Sequence, residues 1–354
     1  MNYKHLIDLN DFSQSEWRTI IQLALKIADN PEEYYGSCHG KIMATLFYEP
    51  STRTQMSFQT AMLKLGGRII GFDNPQNSSV AKGESLKDTI VVVSGYADII
   101  AMRHPMEGSA KAASLYANCP IINAGDGGHL HPTQTLTDLV TLSREKGRLD
   151  HLTIGLCGDL KNGRTVHSLI KALSLYEGNT FVLISTKELT VPPYIKELLI
   201  QNHVPYTEVL SLEAAIPDLD VLYMTRIQRE RFNSEQEYME QKDIYVLNPE
   251  KLVRAKPDLK ILHPLPRVDE IDYKVDEDTR AIYFKQTLYG VYARMALIMN
   301  MIGGFDHTPV LKGELMNRSC SNPRCITANE HYLPHSFKNS DGELLCEYCE
   351  QLQK

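Results

Sequence analysis

Ile42-Met43-Ala44-Thr45-Leu46-Phe47-Tyr48-Glu49-Pro50-Ser51-Thr52-Arg53-Thr54-Gln55 is the stretch on which the reading turns. Its first six residues are an uncharged apolar run of strand length, and apolar residues at helical spacing follow over Ser57–Leu65. Between them, three hydroxyls and a guanidinium stand where a helix leaves its first N–H groups unpaired and its dipole is positive, which makes a phosphate site. Capping alone accounts for one hydroxyl, because Ser and Thr are favoured there anyway, but it leaves Arg53 at the wrong end of the dipole.

Working outward, similar apolar runs recur at Arg68–Gly71, Ile99–Met102, Ile121–Asn123, Thr153–Cys157, Thr180–Ile184, Val221–Met224 and Lys260–Leu262. Helical spacing fills the intervals at Leu86–Ser94, Gln134–Glu145, Thr165–Tyr176 and Pro192–Gln201. Strands alternating with helices predict an α/β chain with two doubly wound parallel-sheet domains and an interdomain cleft. The expected boundaries are 1–134, completed by a C-terminal helix at 286–305, and 135–285. After Gly303-Gly304 the pattern turns short and polar, and a small separate domain is expected at 315–354.

The chain has 354 residues, 43% hydrophobic and 23% charged, an ordinary globular balance. Lys and Arg number 37 against 44 Asp and Glu, a net charge of −7, which argues against nucleic acid or an anionic membrane as partner. An anionic ligand must then be met by a local cluster of cations. No signal-like N-terminus and no long uninterrupted apolar stretch is visible, so a soluble cytoplasmic protein is expected.

In parallel sheets ligands sit beyond the carboxyl ends of strands. There the sequence puts Arg103-His104-Pro105, then His131-Pro132-Thr133-Gln134, then Arg164 after Gly158-Asp159-Leu160-Lys161-Asn162-Gly163, then Thr225-Arg226-Ile227-Gln228. His131 and Gln134, three apart, share one face of a helix start, and Arg226 and Gln228 share one side of an extended chain. Each segment alone reads as solvated surface; four arginines, a histidine and a glutamine at successive strand ends read as one anion-binding site. Gly155-Leu156-Cys157-Gly158-Asp159-Leu160 lacks dinucleotide-loop spacing, a Walker loop is absent, and no Ser or Cys sits in a nucleophile elbow.

Cys320 and Cys325, twenty residues, then Cys346 and Cys349 give two knuckles of four thiolates, matching a closed structural zinc site. Disulfide pairing and unliganded thiols are the alternatives, the first opposed by a reducing cytosol and the second by the paired spacing. His331 and His335 read as surface residues, since four cysteines fill a tetrahedral shell.

Taken in order, Phe47 to Thr54, Met102 to Pro105, His131 to Leu139, Gly163 to Ser168, Thr225 to Gln228 and His263-Pro264-Leu265-Pro266-Arg267 resemble the motifs of the aspartate carbamoyltransferase catalytic chain over roughly residues 3–305. The tail is similar to the zinc domain of that enzyme's regulatory chain. The resemblance implies transfer of a carbamoyl group from carbamoyl phosphate to L-aspartate, the committed step of pyrimidine synthesis, with structural zinc and no catalytic cofactor. It implies that Ser51, Thr52, Arg53 and Thr54 bind the phosphate, and that Arg103 bridges phosphate and carbonyl. His131 and Thr54 address the carbonyl oxygen, and Gln134 takes the carbamoyl NH2. Arg164, Arg226 and Gln228 hold the aspartate carboxylates, while the backbone of Leu265 and Pro266 contacts the carbamoyl and amine groups. Ser78 and Lys82, in Asn77 to Glu84, match a loop that a neighbouring subunit supplies, so a homotrimer with shared sites is implied, with higher assembly through the zinc domain.

Two departures bear on this. No segment of nucleotide-domain size separates residue 305 from Cys320, so nucleotide regulation does not carry over, and Ala81 stands at a loop position often basic in the family. The nearest competitor, ornithine carbamoyltransferase, carries Cys where this chain has Pro264 and a Ser-Met-Gly segment that is missing here. A non-catalytic scaffold is the reading from a different class, and the intact strand-end residues oppose it.

Overall fold

The computed structural model describes residues 4–128, 131–229, 232, 234–241, 244–302, 311–340 and 342–353. The end of the expected 286–305 segment, with Gly303-Gly304, lies outside the described residues. The chain divides into two compact units, Met1–Thr133 with Val291–Lys354, and Gln134–Gly290.

The first unit holds a four-stranded parallel sheet of β1 (Ile42–Phe47), β2 (Arg68–Phe72), β3 (Ile99–His104) and β4 (Ile121–Asp126), in the order β2-β1-β3-β4. β1 is central and buried from Met43 on, which is why its sequence carries no charge. Its helices include α1 (Gln14–Asp29), closed by a capping box between Ser13 and Glu16, α2 (Thr52–Lys64), α3 (Leu86–Ser94) and α4 (Ser109–Ser114). The chain leaves β1 and β3 on opposite sides of the sheet, so the strand order reverses between them. A crevice at the carboxyl ends is expected at that point.

The C-terminal segment belongs to the same unit. It is an antiparallel ribbon of β10 (Glu314–Leu315), β11 (Ser336–Ser340) and β12 (Glu343–Cys346). Its Phe337 and Tyr348 join one buried cluster with Ala110 and Ala113 of α4 and Ile100 of β3. Each such ring, fully buried, contributes about 1.5–3 kcal/mol. The join is also polar: Glu107 N–H donates to Arg324 O (2.9 Å), Ile326 N–H to Glu107 O (2.9 Å), and Asn322 Nδ2 to Glu107 Oε2 (2.7 Å). Gly108 has φ +82°, and a Cβ there would lie 2.8 Å from the Tyr348 backbone, so only glycine lets the tail approach so closely.

The second unit holds β5 (Thr153–Cys157), β6 (Thr180–Ile184), β7 (Tyr206–Val209), β8 (Val221–Met224) and β9 (Lys260–Leu262), all parallel, in the order β7-β6-β5-β8-β9. Here the order reverses between β5 and β8. Three helices matter below: α5 (Pro132–Lys146), α6 (Arg164–Leu173) and Tyr283–Ile302. The doubly wound parallel sheets are as expected from sequence.

Several bounds differ from expectation. β3 runs through Arg103 and His104 and β4 through Asp126, because ladder pairing continues past the apolar residues. α2 starts at Thr52, five residues before its apolar pattern. β7 has no counterpart in the expected strands; its Tyr-Thr-Glu-Val sequence suits an edge strand, where burial no longer demands apolar residues. Among the described residues, no helix is long and apolar enough to cross a membrane.

Candidate functional site

In the first unit, the two strands flanking the reversal deliver the phosphate-site candidates. β1 leads through Glu49 and Pro50 to Ser51, the residue before α2, and Ser51 makes no side-chain cap hydrogen bond. Its hydroxyl is thus not spent on capping, which removes the structural explanation for Ser51 in this segment. Thr52 and Arg53 are exposed in the first turn of α2, and partial burial lowers the Arg53 pKa without threatening its charge. Among the described residues Arg53 has no ion pair.

Arg103 lies beside Phe47 in the β1–β3 ladder, one strand from this turn. Its Nη2 is paired with Glu49 at 2.7 Å and its Nη1 donates to Ala124 O at 3.4 Å. Gly125, at φ +125°, backs the guanidinium: an added Cβ would lie 2.8 Å from Arg103 Nη1 and 3.7 Å from His131 Cδ2. Arg103 and buried His131 therefore face one another's neighbourhood across a residue that must be glycine. Neither Glu49 nor Gly125 is singled out by the sequence reading. His104 turns away, bonding Met106 N–H and Ser109 Oγ, and burial pushes its pKa down to about 4.

Ser78 Oγ donates to Pro75 O (2.8 Å) and accepts from Val80 N–H (3.3 Å), while Lys82 is exposed at the end of a short turn.

In the second unit, β5 and β8 flank the reversal and present Arg164, Arg226 and Gln228. The loop after β5 folds around Asp159, whose carboxylate accepts from Asn162 N–H (2.9 Å) and from the Gln228 backbone; burial raises its pKa against these bonds. Gly158, at φ +118°, abuts Thr225: a Cβ there would lie 2.3 Å from Thr225 O. The close approach sets the loop bearing Arg164 against the strand end bearing Arg226. Arg226 and Gln228 are half-buried and Ile227 between them is buried. His167 steadies the loop from α6, Nε2 to Leu160 O at 2.7 Å and Nδ1 to Tyr194 Oη at 2.8 Å.

Gln134, in the first turn of α5, donates from Nε2 to Asp138 Oδ1 at 2.8 Å. Gln286 Nε2 donates to the same oxygen (2.7 Å), and Tyr223 Oη donates to Oδ2 (3.0 Å). Gln286 Oε1 in turn accepts from His263 N–H (3.0 Å), at the start of the Leu265-Pro266 loop. There Leu265 N–H donates to His263 Nδ1 (2.8 Å), and His263 Nε2 lies 2.7 Å from Glu270 Oε1. Leu265 has φ +51° and its bond to Pro266 is cis.

The four tail cysteines meet. Their Sγ atoms all lie within 4.8 Å of one another, with Cys320 to Cys349 at 3.7 Å and Cys325 to Cys346 at 3.8 Å. A Zn–S bond of about 2.3 Å in a tetrahedron sets thiolates about 3.8 Å apart, so the donor set fits zinc. Asn322 N–H and Gln353 Nε2 each lie 3.4 Å from Cys320 Sγ, the hydrogen-bond support a thiolate ligand takes. The four-thiol group includes neither His331 nor His335. The other cysteines, Cys38, Cys119 and Cys157, are buried and unbridged, and burial raises all three thiols.

Family models match the chain along most of its length. Residues 4–144 match the aspartate/ornithine carbamoyltransferase carbamoyl-P binding domain, and 150–301 match the Asp/Orn binding domain of the same family. Residues 318–354 match the metal binding domain of the aspartate carbamoyltransferase regulatory chain. The aspartate carbamoyltransferase catalytic subunit of Clostridium perfringens is 60% identical over 301 residues, covering 85% of this chain and 98% of that protein. Among solved structures, the catalytic subunit of M. jannaschii aspartate transcarbamoylase is 50% identical with a TM-score of 0.80, covering 85% of this chain and 98% of that one. The Trypanosoma cruzi enzyme in complex with carbamoyl phosphate and aspartate is 34% identical with a TM-score of 0.76, covering 85% and 97%. Both sheets, with arginines at each reversal of strand order, thus sit within a matched relationship, and the chain belongs to the aspartate carbamoyltransferase catalytic-subunit family, with a regulatory-chain type metal-binding domain on the same polypeptide.

Proposed function

We propose that this chain transfers the carbamoyl group of carbamoyl phosphate to the amine of L-aspartate, giving N-carbamoyl-L-aspartate and phosphate, the committed step of de novo pyrimidine synthesis in the cytoplasm. The observation that carries the reading is the pair of arginine-bearing strand ends: Arg53 and Arg103 at one reversal of strand order, Arg164 and Arg226 at the other. Both substrates are anions, so their encounter costs Coulomb repulsion that guanidinium forks offset while recognising phosphate and carboxylate geometry.

In this reading Ser51, Thr52, Arg53 and Thr54 hold the phosphate at the head of α2. Arg103, Thr54 and His131 meet the carbonyl oxygen, and Gln134 and the Leu265-Pro266 backbone meet the carbamoyl NH2. Arg164, Arg226 and Gln228 hold the aspartate carboxylates. The neutral amine attacks the carbonyl carbon, negative charge grows on oxygen, and preorganised donors there lower the barrier. The C–O bond to phosphate then breaks and the departing phosphate takes the amine proton. An isotope study assigning that proton to His131 would refute this step.

Cys320, Cys325, Cys346 and Cys349 would hold zinc, which when bound cross-links the tail and supplies no catalytic chemistry. Ser78 and Lys82, exposed or spent within their own turn, act in the site of a neighbouring copy in a homotrimer, with the zinc domain available for higher assembly. Mixing an Arg53→Ala chain with a Lys82→Ala chain tests the sharing: hybrid trimers regain activity if sites are shared, and stay inactive if they are not. Product formation from carbamoyl phosphate and aspartate tests the activity itself.

A further inference from the structure

Asp138 is fully buried, one helical turn after Gln134, and its two oxygens take three neutral donors from three elements. A carboxylate only accepts hydrogen bonds. The Gln134 amide must therefore turn Nε2 toward Asp138, which leaves Oε1 as the end offered to anything bound beyond it. The same oxygen fixes Gln286 by its Nε2, and Gln286 must then present Oε1 to His263 N–H, which it does at 3.0 Å. His263 Nδ1 takes the Leu265 N–H, and Glu270 closes the far side, accepting also from Val268 N–H (3.0 Å) and Asp269 N–H (3.1 Å). One buried carboxylate thus dictates the polarity of a side-chain amide and, through two relays, the conformation of the 263–266 loop.

We infer that Asp138 is a positioning residue that makes the carbamoyl-amine end of the site accept hydrogen bonds only, so that a phosphoanhydride bearing NH2 is chosen over one bearing methyl. The inference rests on the function proposed above, in which Gln134 and the Leu265-Pro266 backbone receive the carbamoyl NH2. Its logic is that of a polar relay: with the acceptor at Asp138 removed, nothing holds the Gln134 amide against turning, and its NH2 then competes to face the carbamoyl NH2. Tyr223 Oη is held on the second oxygen; burial and the Asp138 charge drive its pKa well up, so it stays a donor.

The test compares carbamoyl phosphate with acetyl phosphate, which carries CH3 in place of NH2, at saturating aspartate and with the full-length chain. Asp138→Leu removes both acceptor oxygens from Gln134, Gln286 and Tyr223, whereas an asparagine would still turn its carbonyl to the two glutamines and its NH2 to Tyr223 Oη. The ratio of kcat/KM for the two donors is expected to fall at least about tenfold, since the Gln134 amide is no longer held with Oε1 outward and its hydrogen bond to the carbamoyl NH2 is lost. Inhibition by inorganic phosphate, which has no amine, is expected to stay as in the unmodified chain. An unchanged ratio, or a parallel weakening of both donors and of phosphate, would overturn the inference and mark Asp138 as a purely structural group.

Should Asp138→Leu fail to fold, Gln134→Glu asks the same question. A carboxyl placed against Asp138 must keep its proton to donate, and two carboxyls sharing a site raise one pKa. Carbamoyl transfer by that variant is then expected to decline with rising pH along a limb displaced upward from the carboxylate range. A limb at an ordinary glutamate pKa would overturn the inference. Failure of the unmodified chain to carbamoylate aspartate would overturn the proposed function and this inference together, whereas normal activity of the unmodified chain with an unmoved donor ratio in Asp138→Leu overturns the inference alone.

Discussion

Gly125→Ala tests whether the backing of Arg103 matters to catalysis. The new Cβ would lie 2.8 Å from Nη1 and 3.4 Å from Cζ of Arg103, on a backbone at φ +125°. A carbon contact relaxes at about 3.5 Å, so the guanidinium must retreat by roughly 0.7 Å. It is not free to swing clear, because Glu49 holds Nη2 at 2.7 Å. In the proposed function Arg103 meets the reacting carbonyl, and a displacement approaching 1 Å at such a group costs roughly 100-fold; the left-handed backbone adds about 1–3 kcal/mol of destabilisation. The assay is the initial rate of N-carbamoyl-aspartate formation against carbamoyl phosphate concentration, with thermal unfolding of the same sample. The expected result is a large fall in kcat/KM with the fold retained at assay temperature. A variant with unchanged kcat/KM would refute the reasoning that Gly125 fixes Arg103, and with it the assignment of Arg103 to the reacting carbonyl.

Arg53→Ala should weaken inhibition by inorganic phosphate about 10- to 100-fold, the loss of a charge-assisted contact, as read by competition against carbamoyl phosphate. Metal analysis should find one zinc per chain, and Cys349→Ala should abolish it and expose the tail to proteolysis, because the 315–354 segment relies on the metal to close its two knuckles. His104 should impose acid sensitivity: its pKa is pushed down to about 4 by burial, against about 6.5 unfolded, so the unfolded chain binds a proton that the folded one refuses. Stability is therefore full above pH 6.5 and falls toward pH 4, and His104→Gln should flatten that slope in urea titrations at pH 7 and pH 5.

Much of this was legible in the residues because parallel sheets force buried strands to be apolar and place chemistry at their ends. Ile42–Phe47 and Thr153–Cys157 announce themselves in that way, and the four cysteines announce their cluster by spacing. What escaped is equally physical. Tyr206–Val209 lies at a sheet edge, where polar residues are tolerated, so nothing in its composition marks a strand. Arg103 and His104 extend β3 because backbone pairing, not side-chain character, sets where a strand stops. Glu49, Gly125 and Asp138 act on Arg103 and Gln134 rather than as anion ligands themselves, so a search for cations at strand ends passes over them. The spacing of Gln134 and Asp138, four apart on one helix, is the signal that was available.

The most direct measurement offers the purified chain carbamoyl phosphate with aspartate and with ornithine side by side, and quantifies each carbamoylated product. In the proposed site Arg164 and Arg226 hold the two carboxylates of the acceptor, so N-carbamoyl-aspartate should form and citrulline should not. Citrulline formation, or no product from either acceptor, would contradict the account.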